Sequence, residues 1–168
     1  CLLEDREGML WIGTRTGLNR FDPAREEFQA FFHTAADTAS LSNNVIHALA
    51  EDSGGRIWIG TGAGAFRHRE GRFERMTPPG VSVEGLAEID GAVWMRGQTG
   101  AYAFANGRLL RVTDPFLCVT SIRKAGGQVW ILGETGGDGG GPAWRVDRWL
   151  ASAVPDRDAH VSRIFETP

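Results

Sequence analysis

A tryptophan recurs four times in nearly the same local setting, and this repeat narrows the folds open to the chain more than any other feature. Asp5-Arg-Glu-Gly-Met-Leu-Trp11-Ile-Gly-Thr14 aligns with Asp52-Ser-Gly-Gly-Arg-Ile-Trp58-Ile-Gly-Thr61. Asp90-Gly-Ala-Val-Trp94-Met-Arg-Gly97 and Ala125-Gly-Gly-Gln-Val-Trp130-Ile-Leu-Gly133 follow the same plan with shorter turns. The tryptophans fall 47, 36 and 36 residues apart. A stretch at 33–44 rich in Ala, Thr, Ser and Asn accounts for the longer first interval.

Each unit carries four short strand patterns separated by turn residues. In the second unit these are residues 45–51, 56–61, 65–69 and 72–76. In the third they are 83–89, 92–96, 101–105 and 108–113, with Asn106-Gly107 as a two-residue hairpin signal. Gly, at 23 of 168 residues and without collagen periodicity, supplies the many turns such a chain needs. Helical periodicity is confined to weak candidates at 24–28 and 148–154. Four strands in roughly 40 residues is the unit of a β-propeller blade. The expected fold is therefore all-β, an open partial propeller of about four four-stranded blades, cut from a larger ring. Blades are expected at about 1–33, 44–77, 82–113 and 118–150, with a further blade starting at 160–168, where Val161 and Ile164 echo Val119 and Ile122.

A blade cannot cover both faces of its own sheet, so bulky side chains fill the layers between blades. Trp11, Trp58, Trp94 and Trp130 read as that packing and not as ligand platforms. Asp5 and Asp52 read as turn formers, each carboxylate accepting backbone N–H groups while a following Gly takes positive φ. An arc that stops short of a closed ring leaves faces unpaired, and modest stability is expected of it alone.

The first two units resemble the two-component regulator propeller repeat of bacterial hybrid histidine kinases and related signalling proteins. Glu4-Asp5, Gly8, Trp11-Ile12-Gly13-Thr14 and Gly17-Leu18-Asn19-Arg20-Phe21-Asp22-Pro23 carry the likeness, with Leu41-Ser42-Asn43-Asn44-Val45 and Glu51-Asp52, Gly55 and Trp58-Ile59-Gly60-Thr61. The third and fourth units have drifted, losing Gly-Thr after Trp94 and replacing Thr with Glu134 after Trp130. The resemblance implies an extracytoplasmic or periplasmic ligand-sensing segment of a membrane-anchored receptor, non-catalytic in itself. The kinase or diguanylate cyclase output would lie outside these residues. It also implies a glycan fragment or other small ligand, the remaining blades of a parent propeller of seven blades, and homodimerisation of the full receptor as partners. A protein-interaction scaffold and a sialidase-like glycan-processing propeller are the alternatives. The last needs a nucleophilic tyrosine and an arginine cluster. The single tyrosine, Tyr102, falls in a third strand away from the axis.

Ligands of propellers usually meet the face where the loops between strands two and three and between successive blades emerge. Those loops are 14–17, 61–64, 96–100 and 133–142, and 33–44, 77–82, 113–116 and 151–159. Arg15, Asn43, Asn44, Arg96, Gln98, Glu134 and Asp138 are the candidate binding residues among them. Arg15 and Arg96 can pair with carboxylate or sulfate groups through bidentate hydrogen bonds. Ordinary solvated loop positions are the competing reading for each, and turn capping is a further one for Asn43 and Asn44.

Other chemistry finds little footing. The formal net charge of -3, with Lys and Arg scattered singly, offers no basic patch for nucleic acid or a membrane surface. A membrane would be reached only through segments outside this chain. No apolar run approaches the roughly 18 residues of a spanning helix. Gly60-Thr-Gly62-Ala-Gly64 superficially resembles a phosphate loop, but a strand follows where a helix N-terminus is required. The Gly-rich 136–141 segment lacks the acidic ladder of a calcium loop. His33, His47, His68 and His160 show no ligand spacing, so no metal or other cofactor is expected. His47 is expected to play a structural part on an inner strand. Cys1 and Cys118 read as small buried hydrophobes in preference to a disulfide.

Overall fold

The computed structural model describes residues 1–98, 100–113, 118–134, 143–146 and 164–166, with side chains described up to residue 133. Four four-stranded antiparallel sheets follow one another along the chain. The first holds β1 (Leu2–Glu4), β2 (Leu10–Gly13), β3 (Leu18–Asp22) and β4 (Glu27–Phe31). The second holds β5 (Ile46–Glu51), β6 (Ile57–Thr61), β7 (Gly64–Arg69) and β8 (Arg72–Arg75). The third holds β9 (Gly85–Ile89), β10 (Ala92–Gly97), β11 (Gly100–Ala105) and β12 (Arg108–Arg111). The fourth holds β13 (Cys118–Ala125), β14 (Gln128–Glu134), β15 (Ala143–Val146) and β16 (Ile164–Glu166). Each sheet is a simple meander, and the sheets stand as blades in an open arc with no helix among the described residues.

Turn chemistry sets the hairpins. Glu70-Gly71, Asp90-Gly91 and Asn106-Gly107 all take positive φ at both residues (51° and 79°, 54° and 78°, 50° and 76°). That is the type I′ geometry whose twist matches the flanking strands. The longer first turns use the Asp instead. Asp5 Oδ1 accepts from Glu7 N and Met9 N at 3.0 and 2.9 Å, and Asp52 Oδ1 from Gly54 N and Arg56 N at 2.9 and 3.1 Å.

One rule governs the packing between blades. Alternation along the second strand of each blade sends the tryptophan to the following blade and its two flanking residues to the preceding one. Trp11 packs with Ile57, Ile59, Phe66 and Phe73 of the second blade. Trp58 packs with Val93, Met95 and Tyr102 of the third, and Trp94 with Val119, Ile122, Val129 and Ile131 of the fourth. These three tryptophans are no more than 2% exposed. Trp130 is only half-buried, because no described blade lies beyond it.

The glycine of the Trp-Ile-Gly signature answers to the same contact. A Cβ at Gly60 would stand 2.8 Å from Val83 O, where the next inner strand crosses. Backbone bonds from Ile46 N to Thr14 O and from Val83 N to Thr61 O tie consecutive blades at that point (2.8 and 2.9 Å).

Three expectations change. The weak helix at 24–28 is a turn running into β4: Asp22 Oδ1 accepts Ala24 N and Arg25 N, and Phe28 pairs with Phe21 across the strands. Its counterpart at 148–154 lies outside the described residues. Ile164–Glu166 does not open a further blade. It pairs with β15 and supplies the outer strand that the fourth sheet otherwise lacks. Both cysteines are free and exposed rather than buried, since each sits at the solvent end of an inner-strand segment.

Candidate functional site

β5, β9 and β13 are the first strands of their blades, and they face the inside of the arc together with residue 1. Between them lies a cleft of about 320 Å³. Leu49, Leu86, Ala87, Ile122 and Trp94 make its apolar part, and His47, Arg96, Thr120 and Ser121 are among its polar residues. Its residues His47, Arg96 and Thr120 lie toward the end of the blades where the second strands finish.

Strand irregularity re-aims side chains here. The pairing of β5 with β6 shifts between Ile46 and Ala48, leaving His47 as the extra residue. The pairing of β13 with β14 shifts in the same way between Val119 and Ser121, leaving Thr120. A bulge of this kind turns a side chain out of the regular alternation, and bulges gather at rims and binding sites. His47 and Thr120 are both exposed. In the third blade Glu84 immediately precedes β9 at the corresponding place. Its carboxylate lies 3.9 Å from Arg96 Nη1, both side chains being one-third exposed. At that distance and exposure the pair adds little to stability, which leaves Arg96 available to another anion.

The seven residues proposed from sequence do not converge. Of those whose side chains are described, only Arg96 lines the cleft. Arg15 and Gln98 are exposed in the turns after β2 and β10. Asn43 Oδ1 accepts Val45 N at 2.7 Å and Asn44 Oδ1 accepts His33 N at 2.6 Å, so both Asn side chains hold the connection between the first two blades. Glu134 ends β14 by its backbone, and Asp138 lies outside the described residues. His47, Thr120 and Ser121 line the cleft and were not singled out as binding residues from the sequence. A usable signal was present: an apolar residue followed by a polar one stands at or just before the start of the inner strand in Ile46-His47, Val83-Glu84 and Val119-Thr120.

His68 is positioned for packing. It stands 5.0 Å from the Trp11 ring and 5.2 Å from that of Phe73, between the first two blades. Burial, aided by the nearby Arg20 charge, holds its imidazole below the usual histidine range. Gly71 N donates to its Nε2 at 3.2 Å, which fits the neutral ring. No group of three or more His, Cys, Asp or Glu able to hold a metal occurs among the described residues. No helix among them is long and apolar enough to cross a membrane.

Residues 1–16 and 40–63 match the model of the two component regulator propeller family. No curated protein matches the chain. Among solved structures it is similar to the extracellular domain of BT4673 of B. thetaiotaomicron, named as a one component system, with a TM-score of 0.69 and 20% identity. It is also similar to the extracellular domain of the hybrid two component system BT3049 of that organism, with a TM-score of 0.61 and 16% identity. Each likeness covers 83% of this chain and 20% of the other, so the chain spans about a fifth of their length. These likenesses establish the propeller fold.

Proposed function

From the match of residues 1–16 and 40–63 to the two component regulator propeller family, we propose that the chain is the ligand-sensing part of a bacterial signal-transduction receptor. It acts outside the cytoplasm, binds without catalysing, and passes its signal to output machinery elsewhere in the receptor. The observation that carries this reading is the inner-strand cleft. Positions that are equivalent in the repeat bring His47 and Thr120 to its lining, two different chemistries on one scaffold. A purely structural repeat has no need for that variety. The apolar part suits a ring or chain of carbon, while Arg96 and the hydroxyls of Thr120 and Ser121 suit the oxygens of a small polar ligand such as a glycan fragment.

A thermal-shift screen of the chain against neutral and uronic-acid oligosaccharides tests this. A ligand at a hundred times its Kd adds about 2.7 kcal/mol, or roughly 5 °C or more of Tm for a protein of this size. Arg96→Ala should remove the shift given by an acidic ligand. Absence of any shift across the panel, or a shift indifferent to Arg96→Ala and Thr120→Val, would sink the proposal.

A further inference from the structure

On its second-blade side the cleft continues into a small polar corner that the repeat does not require. His47, which lines the cleft, is displaced by the bulge between Ile46 and Ala48 and is exposed. The turn from Thr61 to Gly64 passes beside it. At the place where a Cβ would stand on Gly62, Asn43 Nδ2 lies 3.6 Å away and His47 Nε2 3.7 Å away. Apart from the two flanking residues nothing comes nearer, so the point is open and bordered by two nitrogen atoms. The corresponding turn residues of the first and third blades are Arg15 and Gln98, so of these three only the second blade has no side chain there.

Both walls of the corner are held in place. Asn43 Oδ1 accepts Val45 N at 2.7 Å, which fixes the amide with Nδ2 beside the open point. Arg75 donates to Ser42 Oγ and to Ala63 O, each at 2.6 Å, tying the residue before Asn43 to the residue after Gly62. Thr61 Oγ1 donates to Gly64 O at 2.9 Å and accepts Ala63 N at 3.1 Å, closing the turn. No hydrogen bond among the described residues uses Asn43 Nδ2 or the His47 ring. Polar groups fixed in advance and left without a partner favour a ligand that supplies one, because little ordering remains to oppose binding.

We infer that Asn43 and His47 form a second subsite for the ligand of the cleft, receiving a hydroxyl group at the open point beside Gly62. A hydroxyl suits both nitrogens. Its oxygen accepts from Asn43 Nδ2, which can only donate, and it bonds the His47 ring in either tautomer. The inference rests on the reading of the cleft as a binding site, and it names a group recognised there besides the one that meets Arg96.

The test is titration calorimetry of the whole chain with the oligosaccharide that gives the largest thermal shift in the neutral and uronic-acid panel. Asn43→Asp keeps the oxygen that caps Val45 N and replaces the donor with an acceptor. Gly62→Ala fills the open point at ordinary contact distances from Asn43 and His47, and its φ lies outside the left-handed region. Each substitution should raise the Kd about tenfold, the effect of one lost hydrogen bond, with the ligand-free Tm unchanged. Binding that Arg96→Ala or Thr120→Val weakens, but that either Asn43→Asp or Gly62→Ala leaves unaltered, would overturn the subsite and spare the cleft. Binding of no oligosaccharide would remove the cleft reading and the subsite with it.

Discussion

At the residue scale, the repeat's Asp and Trp are one device rather than two. Trp58 Nε1 donates to Asp52 Oδ2 at 2.7 Å, and Trp11 Nε1 to Asp5 Oδ2 at the same distance. The carboxylate thus closes the turn with one oxygen and satisfies the buried indole with the other. Its guanidinium neighbour Arg56 adds a bond to Asp52 Oδ2 at 2.8 Å. Burial raises the Asp52 pKa, but the indole, the Arg56 amide and the Arg56 charge outweigh it, and the carboxyl titrates below its usual range. A depressed carboxylate contributes stability above its unfolded pKa and loses it as pH falls through the folded one. Asp52→Ala should therefore cost roughly 2–4 kcal/mol in urea unfolding at neutral pH, by stranding a buried donor and several backbone amides. The penalty should shrink below pH 4 as the wild-type carboxyl protonates. An unchanged midpoint at pH 7 would refute the role given to this side chain.

At the element scale, each blade interface has its own composition on a shared register. Arg20 lies across from Trp11 and Arg67 from Trp58, with the guanidinium carbons 5.8 and 5.9 Å from the ring centroids. The first interface alone among these adds a histidine. Because His68 has a pKa below its unfolded value, the unfolded chain binds a proton first. The stability of this interface is then complete above the unfolded histidine pKa and falls as pH drops below it, levelling once the folded ring is also protonated. Arg20 is the charged group acting on the ring, and it reinforces this sign. His68→Phe should flatten the loss of stability on acidification from about pH 7 to 5, measured by thermal unfolding at each pH. A slope unaltered by the substitution would place the titration elsewhere.

At the scale of the whole molecule, burial is unevenly distributed. Every residue of β6 is buried, whereas β4 is exposed except at its last residue. Repeat proteins are held by neighbour-to-neighbour contacts, so opening should start at the uncovered ends and spare the middle. Amide exchange should be slowest in β6 and β10 and fastest in β4, and uniform protection across the sheets would contradict this. Most of the architecture was legible in the chain. Tryptophan spacing, Gly-bearing turns and short alternating runs pointed to four four-stranded blades, because these signals are local and repeat. The candidate cleft was not, since Arg15, Asn43, Asn44 and Gln98 were read from loop position alone. A loop assignment does not say whether a side chain faces the cleft, the solvent or its own backbone.

The Trp-Ile-Gly signature was enough to specify blades, because a strand alternation and a turn are properties of a few consecutive residues. It was also enough to say that the tryptophans pack between blades. Which residues meet inside the arc was decided only when the inner strands of several blades came together. His47 and Thr120 enter the cleft because a bulge displaces each from its register, and Arg96 because its strand ends there. The half-buried Trp130 likewise parts from its three buried counterparts only in three dimensions, since no described blade lies beyond it.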